Sequence, residues 1–557
     1  MSRIRSSSAS SRRKDVATLQ FCISPDDVVS FLDLKIVKES APPDIRDFTA
    51  SYYDFPDRLL QGQGYSLSIE KATRRRRRQV VRKTAADFAA RTAPDEYGVS
   101  VKRNTPDWNA FEGRPYANLL PVVPEAKEMV CLFTVRVKRY SWKLETEGGA
   151  AVHMTLDSGY IETNGKTKDI CVLKLAGADI ATRFSLAKQI SAHIPVQLEM
   201  LTYAEHGFNL LKTEAEAVTR PGRMPVHGAQ TPAQAFQAIA RMCLKHLLAN
   251  VAVFDGEARQ GVVHQVRVAI RRLRVAFDLF RDVLDDPLRN PLRAELGWMA
   301  RELGNARSTD VYIDEVLRPE AARFEGNQEF ATLFDEYRQR QQQAHEMAGH
   351  HLKSARFFRA LLTLGEWIET GSWLRAQNSQ QNVSMGAFSA AQLSRYWRRV
   401  RREGKRLNWK SDEAIHEWRL TFKKMRYAAD YFGVLYGLDK ASSNIPHRAA
   451  QFLAAIQGGL GQLNDTAEMM RLNRLSSVAG IIHQEYAQMR PDITREVGRH
   501  YRALRVLLPY WENPEQLDRE VDDLLAGILD IPQTSPDENQ ELPQDPGTGI
   551  FEKVNET

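Results

Sequence analysis

The 557-residue sequence has only four cysteines, Cys22, Cys131, Cys171 and Cys243, and no two of them fall at C-x-x-C spacing. That spacing excludes a disulfide framework and a zinc ribbon and fits a reducing cytoplasm. No apolar run approaches the roughly 20 residues a membrane-spanning helix needs, so no membrane partner is expected. The N-terminal MSRIRSSSASSRRKD lacks an apolar stretch after its basic residues and does not read as a secretory signal. Large charge of one sign is missing too: 77 Lys and Arg face 70 Asp and Glu, a formal net charge of +7. What is present is segregation. Acids collect near the C-terminus in DENQELPQDP, while arginines crowd a few short windows. Such segregation predicts polyanion-binding surfaces. With 43% hydrophobic residues the chain is neither collagen-like nor wholly disordered.

At about 100–200 residues per domain, the length predicts two or three domains. Residues 1–19 read as a disordered tail. Residues 20–212 carry short runs rich in β-branched and aromatic residues: Val29 to Val37, Gly64 to Ile69, Gln79 to Val81, Met129 to Trp142, Ala151 to Leu156 and Ile170 to Leu175. Turn signals separate them, such as EGG before Ala150 and NGK after Thr163. One helical stretch, Ile180 to His193, follows. The region predicts an antiparallel β domain with a few helices. Residues 213–230 read as a linker. Thr231-Pro232 then opens a helix, and 231–530 is helical throughout, with few glycines and many Ala, Leu and Arg. Residues 531–557 read as a disordered acidic tail. The fold class expected is therefore α+β multidomain, a β domain followed by an all-α bundle.

The helical half repeats itself. His264-Gln-Val-Arg-Val-Ala-Ile-Arg-Arg-Leu-Arg274 aligns with His416-Glu-Trp-Arg-Leu-Thr-Phe-Lys-Lys-Met-Arg426. LGNARSTDVY at Leu303 is echoed by LGQLNDTAEM at Leu460. A separation of about 150 residues is too long for a solenoid period and predicts two related half-domains. On a helix with His264 at zero, Arg267 lies at about −60°, Arg271 at about −20°, Arg274 at about −80° and Arg272 at about +80°. Ile270, Leu273, Phe277 and Phe280 centre on the opposite face. His416, Arg419, Lys423, Lys424 and Arg426 repeat this opposite Phe422, Met425 and Ala429. Like charges at these spacings repel by a few tenths of a kcal/mol per pair. A solvated face is the bland explanation for one such helix; a faithful duplication favours a polyanion groove, where Arg supplies bidentate bonds to phosphate and Lys a point charge. A third stripe, Arg395 to Arg406, alone reads as solvated.

The paired H-x-x-R-x-x-x-[KR]-[KR]-x-R motifs, with the LG-x-x-R-x-x-D-V element and the later LG-x-L-N-D element, resemble the CHAD family (conserved histidine α-helical domain) over roughly 231–530. The resemblance implies a helical bundle of two related halves around a basic channel that binds inorganic polyphosphate. The implied ligands are His264, Arg267, Arg271, Arg274, His416, Arg419, Lys423 and Arg426, with Arg272 and Lys424 at the margin. Ser308 stands where the family usually has Asp, whereas Asp310 and Asp465 are retained.

In the N-terminal half, Tyr52-Tyr53-Asp54-Phe55-Pro56-Asp57, Leu59-Leu60 and Gly64-Tyr65-Ser66-Leu67 resemble the opening of CYTH domains, and Phe133-Thr134, Arg139, Trp142 and Leu156-Asp157-x-Gly159-x-Ile161 extend the match over about 25–210. The resemblance implies an eight-stranded antiparallel barrel, the triphosphate tunnel, whose carboxylates hold a divalent metal and whose cations hold triphosphate. Here most of them are missing: the opening carboxylate motif reads Phe31-Leu-Asp33-Leu-Lys35, Ser68 and Glu70 replace two arginines, Val172-Leu-Lys174 replaces a carboxylate pair, His153 stands for another acid, and Tyr203-x-x-His206 replaces the closing basic pair K-x-x-R. Asp33, Lys35, Arg82 or Lys83, Arg139 and Asp157 remain. Two carboxylates seldom build a hard-metal site. A structural tunnel without catalytic residues or metal is expected, with Lys35, Arg82 and Arg139 as a secondary anion site, and Mg or Mn only were the barrel active. The run Arg74 to Arg78 falls at a hairpin turn.

These readings converge on a non-catalytic polyphosphate-binding protein of a bacterial cytoplasm, associated with polyphosphate granules. The alternative is a metal-dependent triphosphatase or polyphosphatase in the barrel. Nucleic acid would bind only nonspecifically, because few aromatics interleave with the two main stripes. Imidazolium at His264 and His416 would tighten binding near pH 6 relative to pH 8.

Overall fold

The computed structural model describes residues 18–73, 76–83, 96–107, 129–145, 149–254, 259–375, 383–437, 445–472, 481 and 488–512. Arg74 and Arg75, most of the N-terminal tail and the acidic tail at 531–557 lie outside them. The chain divides into two compact units. A sheet unit comprises 1–219, 244–258 and 352–370; a helical unit comprises 220–243, 259–351 and 371–557. Two helical segments thus group with the strands, and the first change of unit, at Thr219, falls within 213–230. That segment is not featureless, for Thr213 and Glu216 close a capping box on the short helix Glu214–Ala217.

Among the described residues, nine antiparallel strands form the sheet: β1 (Leu19–Cys22), β2 (Asp44–Asp54), β3 (Tyr65–Thr73), β4 (Arg76–Lys83), β5 (Glu96–Val101), β6 (Val130–Glu145), β7 (Ala151–Thr163), β8 (Lys166–Gly177) and β9 (Gln197–Glu199). Their order is β5-β4-β3-β2-β6-β7-β8-β1-β9. Among the described residues the two edges do not pair, which corrects the expected closed eight-stranded barrel to an open sheet. The predicted runs at 79–81, 151–156 and 170–175 lie in strands, and those at 64–69 and 129–142 do so after their first residue. Asn164 (φ 31°) and Gly165 (φ 81°) make the β7–β8 turn that NGK announces. Arg76 to Arg78 belong to β4 and not to a turn.

Val29 to Val37, expected as a strand, is helical instead, as Val28–Leu32 and Lys35–Lys38. Phe31, Leu34 and Val37 recur every three residues and are the buried members, at 0%, 9% and 6% exposure. Here helical spacing of apolar groups overrode β-propensity. The true first strand, β1, starts inside the segment read as tail, and Leu19 is buried. Asp54 of the Tyr-x-Asp segment is fully buried and accepts from the backbone N–H of Phe55 (2.8 Å), Leu60 (3.0 Å) and Gln61 (2.9 Å), fixing the turn after β2. Helix α1 (Ile180–Ser191) matches its expectation and α2 (Tyr203–Leu210) follows β9, opened by a Thr202–Glu205 capping box.

The longer helices that follow, among the described residues, are α3 (Pro232–Val251), α4 (Arg259–Leu279), α5 (Arg289–Glu302), α6 (Gly304–Tyr312), α7 (Gln328–Leu352), α8 (Ala355–Thr370), α9 (Met385–Gly404), α10 (Asp412–Phe432), α11 (Ile445–Leu472) and α12 (Arg490–Leu507). Thr231 accepts from the Gln234 N–H, as the Thr-Pro pair predicts. The core of the helical unit is aromatic: Phe236 meets Phe277, Phe280 and Trp373, and Phe280 meets Phe388 and Phe432. No helix among the described residues is long and apolar enough to cross a membrane.

Candidate functional site

The repeated basic motifs occupy α4 and α10, two helices of 21 residues each. Helix α10 packs against α4, α9 and α11. Ser411 caps it by accepting from the Ala414 N–H, and Asp412 and Glu413 sit in its first turn, where carboxylates complement the dipole. Sequence alone places its basic face opposite the apolar one, open to solvent. The structure covers it: Arg419 is 3% exposed, Lys423 8% and Arg426 7%. Lys424 is half-buried and His416 is exposed. In the first copy His264, Arg267, Arg271, Arg272 and Arg274 are all half-buried.

Contacts sort these residues by role. Arg271 lies over the Tyr427 ring at 5.6 Å, joining the two motif helices. Tyr431 of α10 donates to the Arg272 carbonyl at 2.6 Å, a second tie between them. Arg267 Nη1 donates to the Ala300 carbonyl at 2.5 Å and passes beside Gly304, where a Cβ would stand 3.6 Å from it. Arg272 reaches the Gly222 carbonyl at 3.4 Å. Arg426 approaches Asp430 at 3.8 Å. Arg419 Nε is buried and finds no hydrogen-bond partner among the described residues.

The Leu303 element adds residues that the motif reading did not assign. Burial lowers the Arg307 pKa; Asp310, Glu315 and Asp314 oppose that shift, while Arg271 reinforces it. Arg307 therefore belongs with Arg271 in the same cationic neighbourhood. Asp310 is fully buried, and its Oδ1 accepts from Gln341 Nε2 (2.7 Å) and His345 Nε2 (2.8 Å) of α7. The side chain of Asp465, its counterpart in the second element, lies outside the described residues. The third stripe divides: Arg395 approaches Asp282 at 3.6 Å and Arg399 pairs with Glu403 at 2.7 Å, while Arg398, Arg401, Arg402, Lys405 and Arg406 are exposed.

In the sheet unit Arg82, Arg139 and Lys174 present a different arrangement, in which these cations meet acids. Arg139 donates to Asp157 through Nε (2.6 Å) and Nη2 (2.8 Å), Lys174 Nζ donates at 2.9 Å, and Tyr203 Oη donates at 2.5 Å. Asp157 is fully buried. Burial alone would raise its carboxyl pKa, but Lys174, Arg139 and Tyr203 hold it well below the usual range. Arg82 bonds Glu70 (2.6 Å) and Glu96 (2.8 Å), and the buried Tyr52 hydroxyl beside it is pushed up to about 12, first by burial. Lys35 drops out of the expected anion set: on its short helix its side chain is 84% exposed and approaches Glu39 at 3.7 Å. Asp33 likewise faces solvent and pairs with Lys38 at 3.1 Å.

A second buried carboxylate, Glu199, accepts from Cys22 Sγ (2.9 Å) and the Leu201 N–H (2.6 Å) and bonds His206 Nε2 (3.0 Å). Burial acts to raise its pKa, but His206, Cys22 and the Leu201 N–H bring it down to about 2. A depressed carboxylate contributes stability that is present above its unfolded value and is lost as pH falls through its folded one. The sheet unit should therefore lose stability between about pH 4.3, the ordinary glutamate value, and about pH 2. Acid titration followed by tryptophan fluorescence checks this: Glu199→Gln should be less stable at neutral pH and flatter across that window, and an unchanged acid limb would remove Glu199 as its source.

Residues 238–474 match the family model of the CHAD domain. No curated protein matches the chain. Among solved structures, the CHAD domain of the plant Ricinus communis is 25% identical, with a TM-score of 0.39, covering 57% of this chain and 98% of its own. PptA from Streptomyces chartreusis is 13% identical, with a TM-score of 0.38 and coverage of 49% and 100%. The Hippeastrum protein HpAC1, described as having a dominant triphosphatase activity, is 8% identical, with a TM-score of 0.26 and coverage of 34% and 92%. Over residues 238–474, then, this chain carries a CHAD domain.

Proposed function

We propose that the chain is a non-catalytic inorganic polyphosphate-binding protein whose ligand lies along the motif faces of α4 and α10, and that it associates with polyphosphate granules in a bacterial cytoplasm. The observation that carries this reading is Arg419, a guanidinium 3% exposed whose Nε has no hydrogen-bond partner among the described residues. A buried guanidinium N–H without an acceptor costs about 1–3 kcal/mol or more, and a polyanion reaching it supplies the acceptor. Arg271 and Arg307 extend the same positive field, and Lys423 and Arg426 follow Arg419 on α10. Polyphosphate suits such a set because every unit of it is a bidentate acceptor for guanidinium.

The triphosphatase alternative needs carboxylates free to hold a metal. Asp157 has both oxygens engaged by Arg139, Lys174 and Tyr203, and Asp33 is exposed in the turn between two short helices. Binding without hydrolysis is the better reading. The test is titration of the full-length protein with labelled long-chain polyphosphate in excess duplex DNA, with phosphate release followed in Mg and Mn. Binding that survives DNA, with no release, supports it. Binding that DNA abolishes would reduce α4 and α10 to ordinary basic surface, and metal-dependent release would return the activity to the sheet unit.

A further inference from the structure

The sheet unit contains a feature that polyphosphate binding by the helical unit does not use. Asp157, at the centre of β7, is fully buried and takes four hydrogen bonds from three side chains: two from Arg139, one from Lys174 and one from Tyr203. Register explains the grouping. Asp157 faces Arg139 directly on β6 and Val172 on β8, so Lys174 reaches it diagonally from two residues along. Lys174 also lies over the Tyr203 ring at 4.2 Å, and Arg139 over the Phe48 ring at 4.2 Å, which fixes both cations in place. The donors stay partly open to solvent, Arg139 at 29% and Lys174 at 20%, whereas the carboxylate they hold is sealed.

Two guanidinium N–H groups, an ammonium and a phenol converging on one point form a seat for an oxyanion. We propose that this is a self-liganded oxyanion site, in which the Asp157 carboxylate occupies the place that a small phosphate or carboxylate ion would take. In the wild-type chain this seat is therefore closed to a free oxyanion, and removal of that one carboxylate opens it. Neighbouring charge supports the assignment. Arg82, Arg139 and Lys174 are answered by Glu70, Glu96 and Asp157, so loss of Asp157 leaves one cation in excess beside an emptied, donor-lined space. The proposal stands apart from the polyphosphate reading, since it concerns the other unit.

The experiment is thermal unfolding of full-length Asp157→Gly and wild type in chloride, formate and inorganic phosphate at equal ionic strength. Formate is the main probe because it is the group the variant lacks. In chloride the variant should melt about 10 °C lower, the cost of a broken buried pair in a unit of this size. Formate and phosphate should restore much of that loss, beyond any shift they cause in wild type. Adding Arg139→Ala to the variant should abolish the restoration. Were Asp157→Gly insoluble, Asp157→Ala, which also vacates the carboxylate position, serves in its place and should show the same anion-dependent gain. Equal melting of the variant in all three anions, or restoration that persists without Arg139, would overturn the proposal.

Discussion

Replacing Arg271, Arg419 and Lys423 together with alanine is expected to weaken polyphosphate binding by about a hundredfold or more. On the proposed reading each makes charge-assisted hydrogen bonds to the ligand, and a bond to a charged group contributes about 1.5–3 kcal/mol. The slope of log affinity against log salt should flatten as well, because fewer phosphates are neutralised. Stability should move the other way for one member. Arg419→Met exchanges a buried guanidinium for an apolar chain of similar length, and such exchanges are often stabilising by about 1–4 kcal/mol. The apo protein should melt higher while the ligand binds more weakly, as expected where a site holds charge ready for its ligand. Labelled-polyphosphate titration and ligand-free thermal unfolding read the two effects separately. Unchanged affinity in the triple variant would sink the site, and a lower melting temperature for Arg419→Met would make Arg419 a structural residue.

How far the sequence foretold this site depends on which property is asked about. The identity of the basic positions was legible, because a repeat of eleven residues marks both copies and helical periodicity puts them on one face. Depth was not. Helical spacing states which residues share a face, yet it is silent on whether another helix covers that face, and α10 lies against α4, α9 and α11. Hence Arg419, Lys423 and Arg426 are buried while His416, earlier on the same helix, is exposed. Arg307 stood in plain view within Leu303 to Tyr312 but carried no role, since one arginine among polar neighbours gives no periodic signal.

In the sheet unit the substitutions were legible one by one and their joint meaning was not. Lys174 read as the loss of an acid and Tyr203 as the loss of a base. Strand register brings Lys174 to Asp157, and helix α2, packed on β7, brings Tyr203 to it. The open sheet had a similar cause. Strands β2, β5 and β9 escaped notice because Asp44 to Asp54 opens with exposed polar residues, β9 has three residues, and β5 carries a glycine. Closure depends on pairing between distant edges, which no local pattern encodes.

Asp310 offers the second large effect. It joins α6 to α7 through Gln341 and His345, and its charge faces Arg307. Asp310→Ala leaves the buried His345 and the half-buried Gln341 without their acceptor and removes one of the three carboxylates that offset Arg307, so a loss of about 3 kcal/mol is expected. Asp310→Asn separates the two roles. The amide oxygen can still accept from Gln341 and His345, so the loss should be smaller, but the negative charge is gone. Removing it beside Arg307 and Arg271 raises the local positive potential, and polyphosphate should bind the Asn variant severalfold more tightly than wild type. Thermal unfolding of both variants and polyphosphate titration of the second decide the matter. Wild-type stability in Asp310→Ala would mean that water replaces the carboxylate. Unchanged affinity in Asp310→Asn would place the ligand beyond reach of this charge, and would confine the binding face to α4 and α10 without α6.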